Sequence, residues 1–211
     1  MKLLLQLIIL NLFFTSNFYL NAENTLKNYS KGKFYQTIQN NFLVSTDKMK
    51  DNRFSKTVIV IFENNEDGAW GLTINKAMGK IPIALLIDPS LNSAKEREKL
   101  FTINIPIFWG GPVNLEEVFI LHSSEYKSVS TINYGNISLS KDYKILLDIA
   151  DRKGPKESLV ILGYSGWSSG QLEGEMNKNH WELSEINLDI IFKIENDNKW
   201  PLAIKNSYIT L

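Results

Sequence analysis

Leu159–Trp181 reads LVILGYSGWSSGQLEGEMNKNHW, and the rest of the chain is read outward from it. Leu159 to Leu162 is a short apolar run bounded by glycine, the pattern of a buried strand. Four of the twelve glycines then fall within twelve residues, at Gly163, Gly166, Gly170 and Gly174, with Tyr164 and Trp167 between them. Glycine reaches backbone angles closed to other residues and lets chains approach closely. The spacing predicts a strand, a sharp corner and then a helix. Ser168 and Gln171 have capping-box spacing for that helix, and Leu172 and Met176 share one face of it. Gly166 and Gly170 are expected to be structural.

Gly166-Trp167-Ser168-Ser169-Gly170 matches G-x-S-x-G, the form of a hydrolase nucleophile elbow. The order of such triads is Ser, then Asp or Glu, then His. Only His180 follows Ser168, and it is placed on the same short helix about three turns on, where it cannot fold back onto the hydroxyl. The other histidine, His122, lies upstream beside Ser123, Ser124 and Glu125, a setting open to a general base or to a hydrogen-bonded structural residue. Ser168 and His122 are therefore the two catalytic candidates, set against a plain cap and a satisfied strand-end histidine. Glu173 and Glu175 stand two apart on the predicted helix and point to different faces, which argues against an acid/base pair.

The remaining blocks carry a family resemblance. G-Y-S-G-W-S-S-G-Q-L-E-x-E contains Gly163, Tyr164, Gly166, Trp167, Gly170, Gln171, Leu172, Glu173 and Glu175, and Asn179 and Trp181 follow it. Upstream stand Arg53-Phe54-Ser55-Lys56-Thr57-Val58 and the block Gly68 to Asn75, which includes Gly71. Gly110-Gly111-Pro112-Val113 and Leu121-His122 come next, and Trp200 lies near the end. Together, in this order, they resemble the YqgE/AlgH family of bacterial proteins over about Phe42 to Leu211. The resemblance implies an α+β fold with a strongly bent, mixed or mostly antiparallel sheet, a pseudo-barrel packed with a few helices, in a single domain. It implies no established reaction, although some family members are labelled transcriptional regulators.

Met1–Ala22 reads MKLLLQLIILNLFFTSNFYLNA. A lysine, an apolar run from Leu3 to Phe14 and a small residue at Ala22 make the layout of a secretory signal peptide. The run is short beside the ~20 residues of a membrane span. An uncleaved anchor at residues 3–20 and a buried N-terminal helix are the rivals. The resembled family implies a cytoplasmic protein beginning near Phe42, whereas this segment predicts export to the periplasm with a mature N-terminus at Glu23. Residues 23–41 are polar and read as a loosely ordered lead-in, and residues 42–211 as one domain.

Without the leader about 190 residues remain, enough for one domain with a sizeable core. Formal net charge is zero, so nothing draws the chain toward nucleic acid or an anionic membrane. Cysteine is absent, which removes disulfides, thiol catalysis and thiolate metal sites. The two histidines stand 58 positions apart with no H-E-x-x-H, so no metal set is expected and no cofactor is assigned. Gly110-Gly111 reads either as a phosphate-cradling turn or as a turn where backbones pack closely. The first lacks the Lys and Ser/Thr of a P-loop.

Between these blocks, Phe42–Ser45 and Thr57–Phe62 read as strands, and Trp70–Ile74 returns from Thr57–Phe62 around a long polar tip. Ile81–Ile87 reads as a helix start, Ser93–Leu100 as an exposed helix, and Ile105–Trp109 and Glu117–His122 as strands. Val129–Leu139 reads as two short strands about a turn at Tyr134-Gly135-Asn136. Ser140 is expected to cap a helix, Leu188–Ile194 to be a strand, and Asn198–Ile204 a closing helix with Pro201 in its first turn. The expected function is a non-enzymatic binding or regulatory interaction module for a protein or small-molecule partner. A hydrolase using Ser168 or His122 and a DNA-binding regulator are the alternatives.

Overall fold

The computed structural model describes Ile38 and residues 40–91 and 93–207. The leader and most of the lead-in lie outside the described residues. Among the described residues ten strands are present: β1 (Asn41–Ser45), β2 (Val58–Asn65), β3 (Gly68–Thr73), β4 (Ala77–Pro82), β5 (Asn104–Trp109), β6 (Val113–Ser123), β7 (Ile132–Tyr134), β8 (Ile137–Ser140), β9 (Ser158–Ser168) and β10 (Trp181–Glu185). Among the described residues five α-helices of more than one residue join them: α1 (Ala94–Phe101), α2 (Tyr143–Ala150), α3 (Gln171–Asn177), α4 (Leu188–Phe192) and α5 (Asn196–Lys205). Eight strands run in the order β10-β1-β2-β3-β9-β6-β8-β7, with β4 and β5 branching off β9. All pairings are antiparallel except that of β5 with β9. The result is the expected α+β single domain around a curled, mostly antiparallel sheet.

β9 is the strand on which this sheet turns. Residues 158–164 pair with β6 on one side. On the other side, residues 160–162 pair with β5 and residues 165–168 pair with β3. The exchange of partner happens at Gly163, whose φ is 68°, opposite Gly110 and Gly111. A Cβ at Gly110 would lie 2.2 Å from the Gly163 carbonyl oxygen, and one at Gly111 would lie 2.2 Å from the Tyr164–Ser165 peptide. Gly110 donates its N–H to Leu162 O and its carbonyl accepts from Thr73 N–H and the Ser165 hydroxyl. The Gly-Gly pair is thus a three-way backbone junction; Gly110's N–H is directed at protein and gives no phosphate cradle.

The predicted corner at Gly163–Gly170 is therefore an uninterrupted strand that changes partner, since β9 runs on to Ser168. The turn into α3 comes only at Gly170, at φ 74°. Leu188–Ile194 is also corrected, from strand to helix α4. Asn187 accepts from Asp189 and Ile190 N–H groups, Asp189 and Lys193 pair at i,i+4, and adjacent Ile190 and Ile191 are both buried, which a strand open on one face cannot arrange. Asp142, not Ser140, caps α2. Ile81 and Pro82 end β4, and a 3-10 turn at Ile83–Leu86 replaces the expected helix. The β2–β3 tip is only Glu66-Asp67, and Pro201 sits inside α5 rather than in its first turn.

β2 is buried on both faces, which explains its near-continuous apolar sequence. Val58, Val60 and Phe62 face the core closed by α4 and α5, while Ile59 and Ile61 face Leu172 and Met176 of α3. A third cluster packs α2 and Leu100 of α1 against β5, β6 and β9. Lys199, 2% exposed, is buried in the first core. Its ammonium donates to the carbonyls of Ile74 (3.1 Å) and Ile191 (2.8 Å), and burial draws its pKa down to about 8. Trp200 donates its indole N–H to Ser45 O, closing α5 onto β1.

Gly110→Ala forces a methyl into the junction and should destabilise the fold by about 1–3 kcal/mol. Gly174 inside α3 has open space where a Cβ would stand, so Gly174→Ala should stabilise by up to about 1 kcal/mol. Urea melts of the two variants check both signs; matching midpoints would refute the junction as described.

Candidate functional site

The motif side chains do not converge on a nucleophile. Ser168 ends β9 with its hydroxyl and its N–H both donating to Gln171 Oε1, at 3.2 and 3.1 Å. It accepts no first-turn N–H, so the expected serine cap is instead half of a reversed arrangement in which the glutamine side chain reaches back. His180 follows α3 and is not on it. His122 pairs with Ser158 across β6–β9, ten residues along β9 from Ser168, a strand contour on the order of 33 Å. The structure does not bring Ser168 and His122 together.

His122 is fully buried. Its Nδ1 faces the Ser123 carbonyl at 2.9 Å and its Nε2 faces the Ser140 hydroxyl at 3.0 Å. A carbonyl only accepts, so Nδ1 carries the proton and Nε2 accepts from Ser140, whose oxygen in turn accepts from Thr131 at 2.8 Å. Burial pushes the imidazole pKa below its ordinary value, keeping the ring neutral at pH 7. Both nitrogens are occupied. Among the described residues, no group of three His, Cys, Asp or Glu side chains is placed to hold a metal ion.

A cleft gathers part of the motif instead. Pro112, Gly166, Trp167, Gln171, Glu175 and Trp181 line about 360 Å³ together with the loop after β1. Glu175 ties its wall. Its Oε2 accepts the indole N–H groups of Trp167 (3.0 Å) and Trp181 (2.7 Å), and its Oε1 accepts from Gln171 (3.0 Å). One carboxylate on α3 thereby fixes a ring from β9 and a ring from β10, whose centroids stand 6.0 Å apart edge to face. Phe54 continues the aromatic row between Trp181 and Trp109. It is carried by a 3-10 turn that Asp51 caps at Arg53 N–H, and the Arg53 guanidinium holds the Asp51 carboxyl below the usual carboxylate range. Lys50, Lys178 and His180 complete the lining.

A second concavity of about 470 Å³ opens on the other face of β9 and shares Gly166 and Trp167 with the first. Trp70, Phe119 and Tyr164 form a triangle of rings with centroids 5.8, 6.1 and 6.2 Å apart. Lys141 and Glu117 stand at its rim. Gly166 has an ordinary backbone angle; its bareness leaves room, because a Cβ would meet the Tyr164 ring at 3.3 Å.

The other motif residues build the frame. Gly68 and Gly71 let β3 lie against Trp167 O and Val60 O. Asn75 links Val58 N–H to Lys56 O, and the carbonyl of Asn179, itself left-handed at φ 55°, receives the Thr46 hydroxyl. Leu172 is core. Glu173 is 2% exposed, with Oε1 lacking a hydrogen-bond partner. Sequence reasoning did not single out Lys50, Glu117, Phe119 or Lys141. Lys141 and Phe119 lie 22 positions apart and meet only through the register of β6 with β8, in which Ile120 faces Ser140.

Glu175→Ala removes the acceptor of two indole N–H groups and should destabilise by about 2 kcal/mol, with Glu175→Gln costing less because one acceptor oxygen remains. Urea melts give the stabilities, and a loss of near-ultraviolet circular dichroism reports the freed indoles. An Ala variant as stable as the parent would refute the anchoring role.

The AlgH-like family model matches residues 42–211. A UPF0301 protein of Methylococcus capsulatus is 37% identical over 173 residues, covering 81% of this chain and 91% of that protein. A UPF0301 protein of Rickettsia canadensis is 35% identical over 176 residues, covering 82% and 90%. Among solved structures, the AlgH protein of Pseudomonas aeruginosa matches with a TM-score of 0.67 and 32% identity over 83% of this chain and 90% of that one. Protein DIP2367 of Corynebacterium diphtheriae matches at 0.56 and 13% over 81% and 92%, a likeness of fold alone. With its motif residues distributed as described and its domain matched from Phe42 onward, the chain belongs to the AlgH-like family.

Proposed function

We propose that the chain is a binding module that takes an extended peptide segment as an added strand on β9. The observation that carries this is the edge left bare between the two concavities. β9 pairs with β6 only as far as Tyr164: a bulge between Val113 and Val118, with Asn114 at φ 47°, interrupts the ladder after Leu162, and Val113, the first residue of β6, makes the last pair, with Tyr164. From Ser165 to Ser168, β9 keeps β3 on one side and, among the described residues, has no strand on the other. Gln171 closes the far end at Ser168 N–H, so the open stretch is centred on exposed Gly166.

A strand added there gains main-chain hydrogen bonds, and its successive side chains point alternately to the two faces. One face meets the Trp70, Phe119 and Tyr164 rings, and the other meets Trp167 and Trp181. The rigid tryptophan wall held by Glu175 suits such recognition, since a preorganised surface loses little entropy on binding. The absence of a paired nucleophile and base at Ser168 or His122 favours binding over hydrolysis.

The test is selection of displayed random peptides on the full chain, followed by amide hydrogen exchange of the complex. Bound peptides should slow exchange at Gly166, whose N–H shares the open side with that of Ser168. Peptides that bind while leaving that amide unprotected would overturn strand addition.

The leader carries a second, separate proposal. Lys2, the apolar run Leu3–Phe14 and Ala22 support export with cleavage before Glu23, and the matched domain starts only at residue 42. Mass spectrometry of the N-terminal peptide should find Glu23 in the periplasm. Intact Met1 in the cytosol would refute export, and intact Met1 in the membrane fraction would identify an uncleaved anchor.

A further inference from the structure

The concavity above Phe119 already contains a cation of the chain's own. Lys141 Nζ lies 4.5 Å from the Phe119 ring centroid and 2.5 Å from Glu117 Oε1. The other carboxylate oxygen of Glu117 receives Asn114 Nδ2 at 3.0 Å, which fixes the carboxylate on the β6 bulge. Trp70 and Tyr164 stand beside Phe119 with their rings tilted or edge-on to it. Behind Trp70 a second carboxylate, Glu63, accepts the indole N–H at 3.1 Å. Ring faces carry negative potential, and a cation placed over them is held by the ring quadrupole. One carboxylate, Glu117, and three aromatic rings around a single lysine make a pocket whose electrostatics favour positive charge.

The resident lysine is weakly held. Its side chain is 53% exposed and that of Glu117 is 27% exposed, so solvent screens the pair. A lysine on a flexible four-carbon stem can swing out into water and leave Glu117 Oε1 and the ring face to a better occupant. A guanidinium is that occupant, because it is planar, stacks on aromatic faces and bonds a carboxylate with two donors.

We propose that this concavity is a subsite for an arginine side chain of the bound peptide, and that Lys141 is a built-in competitor which the arginine displaces. The proposal rests on strand addition at β9, which would deliver alternate side chains to this face. It assigns the partner's chemistry: an extended segment with arginine at the position facing Phe119. An anionic or purely apolar residue there is disfavoured by Glu117.

The subsite can be tested without a peptide. The probes are N-acetyl-arginine methylamide, its neutral isostere N-acetyl-citrulline methylamide and the anionic N-acetyl-glutamate methylamide. Each is titrated into the full chain, with the Trp70 indole N–H followed by NMR. Lys141→Gln should bind the arginine probe at least fivefold tighter than the parent chain, and adding Glu117→Gln should weaken it at least tenfold again. Citrulline should bind at least tenfold more weakly than arginine. Equal binding of the arginine probe by parent and Lys141→Gln overturns the competitor. Citrulline matching arginine, or the glutamate probe binding best, overturns the cation site. Peptides that protect the Gly166 amide yet carry no basic residue facing Phe119 would sink this subsite while leaving strand addition intact.

Discussion

Three backbone segments meet at Gly110, Gly111 and Gly163 at distances that leave no room for a Cβ. This contact sets the shape of the sheet. β5 ends there, β3 continues along the same side of β9 with Gly71 facing Ser165, and β6 begins there, with Val113 opposite Tyr164. A sheet whose central strand exchanges partner in mid-course cannot stay flat, and the bend that results gives β2 a core on both faces. The two concavities flank the same strand just past the junction. Their depth comes from the bend and their openness from β6 beginning only at Val113.

Glu175 does for the side chains what the glycines do for the backbone. Trp167 and Trp181 arrive from strands separated by the whole of α3, and each would leave an indole N–H without a partner inside a largely apolar setting. One carboxylate satisfies both. Gln171 occupies its other oxygen and also bonds the end of β9, so strand, helix and both rings are coupled through two neighbouring turns of α3. Polar networks of this kind fix geometry when every member is satisfied. The carboxylate is engaged as a positioner, and the chemistry left at the surface is that of ring faces and rim charges.

Much of this was legible in the sequence. The glycine-rich stretch, the β2–β3 hairpin, the exposed helix α1 and the glycine pair are readable from local pattern, because turns and charge or apolar patterning are local properties. The errors share a cause. A cluster of glycines after an apolar run reads as a corner, because glycine ordinarily turns the chain; here Gly163, at φ 68°, lets one strand change neighbours, which only the positions of β3 and β5 reveal. Leu188–Ile194 alternates well enough to pass for a strand, but Asn187 as a cap and Asp189 with Lys193 at i,i+4 were the helix signals. The aromatic concavity was invisible in advance because Glu117, Phe119 and Lys141 become neighbours only through the register of β6 with β8.

The placement of β9 also governs when the fold can form. Its partners β3, β5 and β6 all precede it in the chain, and none of them closes the sheet until residues 158–168 are available. β3 can pair with β2 early, while β5 has only β4 and must wait for its parallel partner. Contacts of such sequence separation require loop closure before they stabilise anything, which places folding among the slower topologies. Until β9 is made, the apolar strand Val58–Phe62 lacks most of the cover that the finished sheet gives it, and an incomplete chain exposes a run prone to pair with its neighbours. Closure of the sheet therefore waits for the last quarter of the sequence, whatever hairpins form before it.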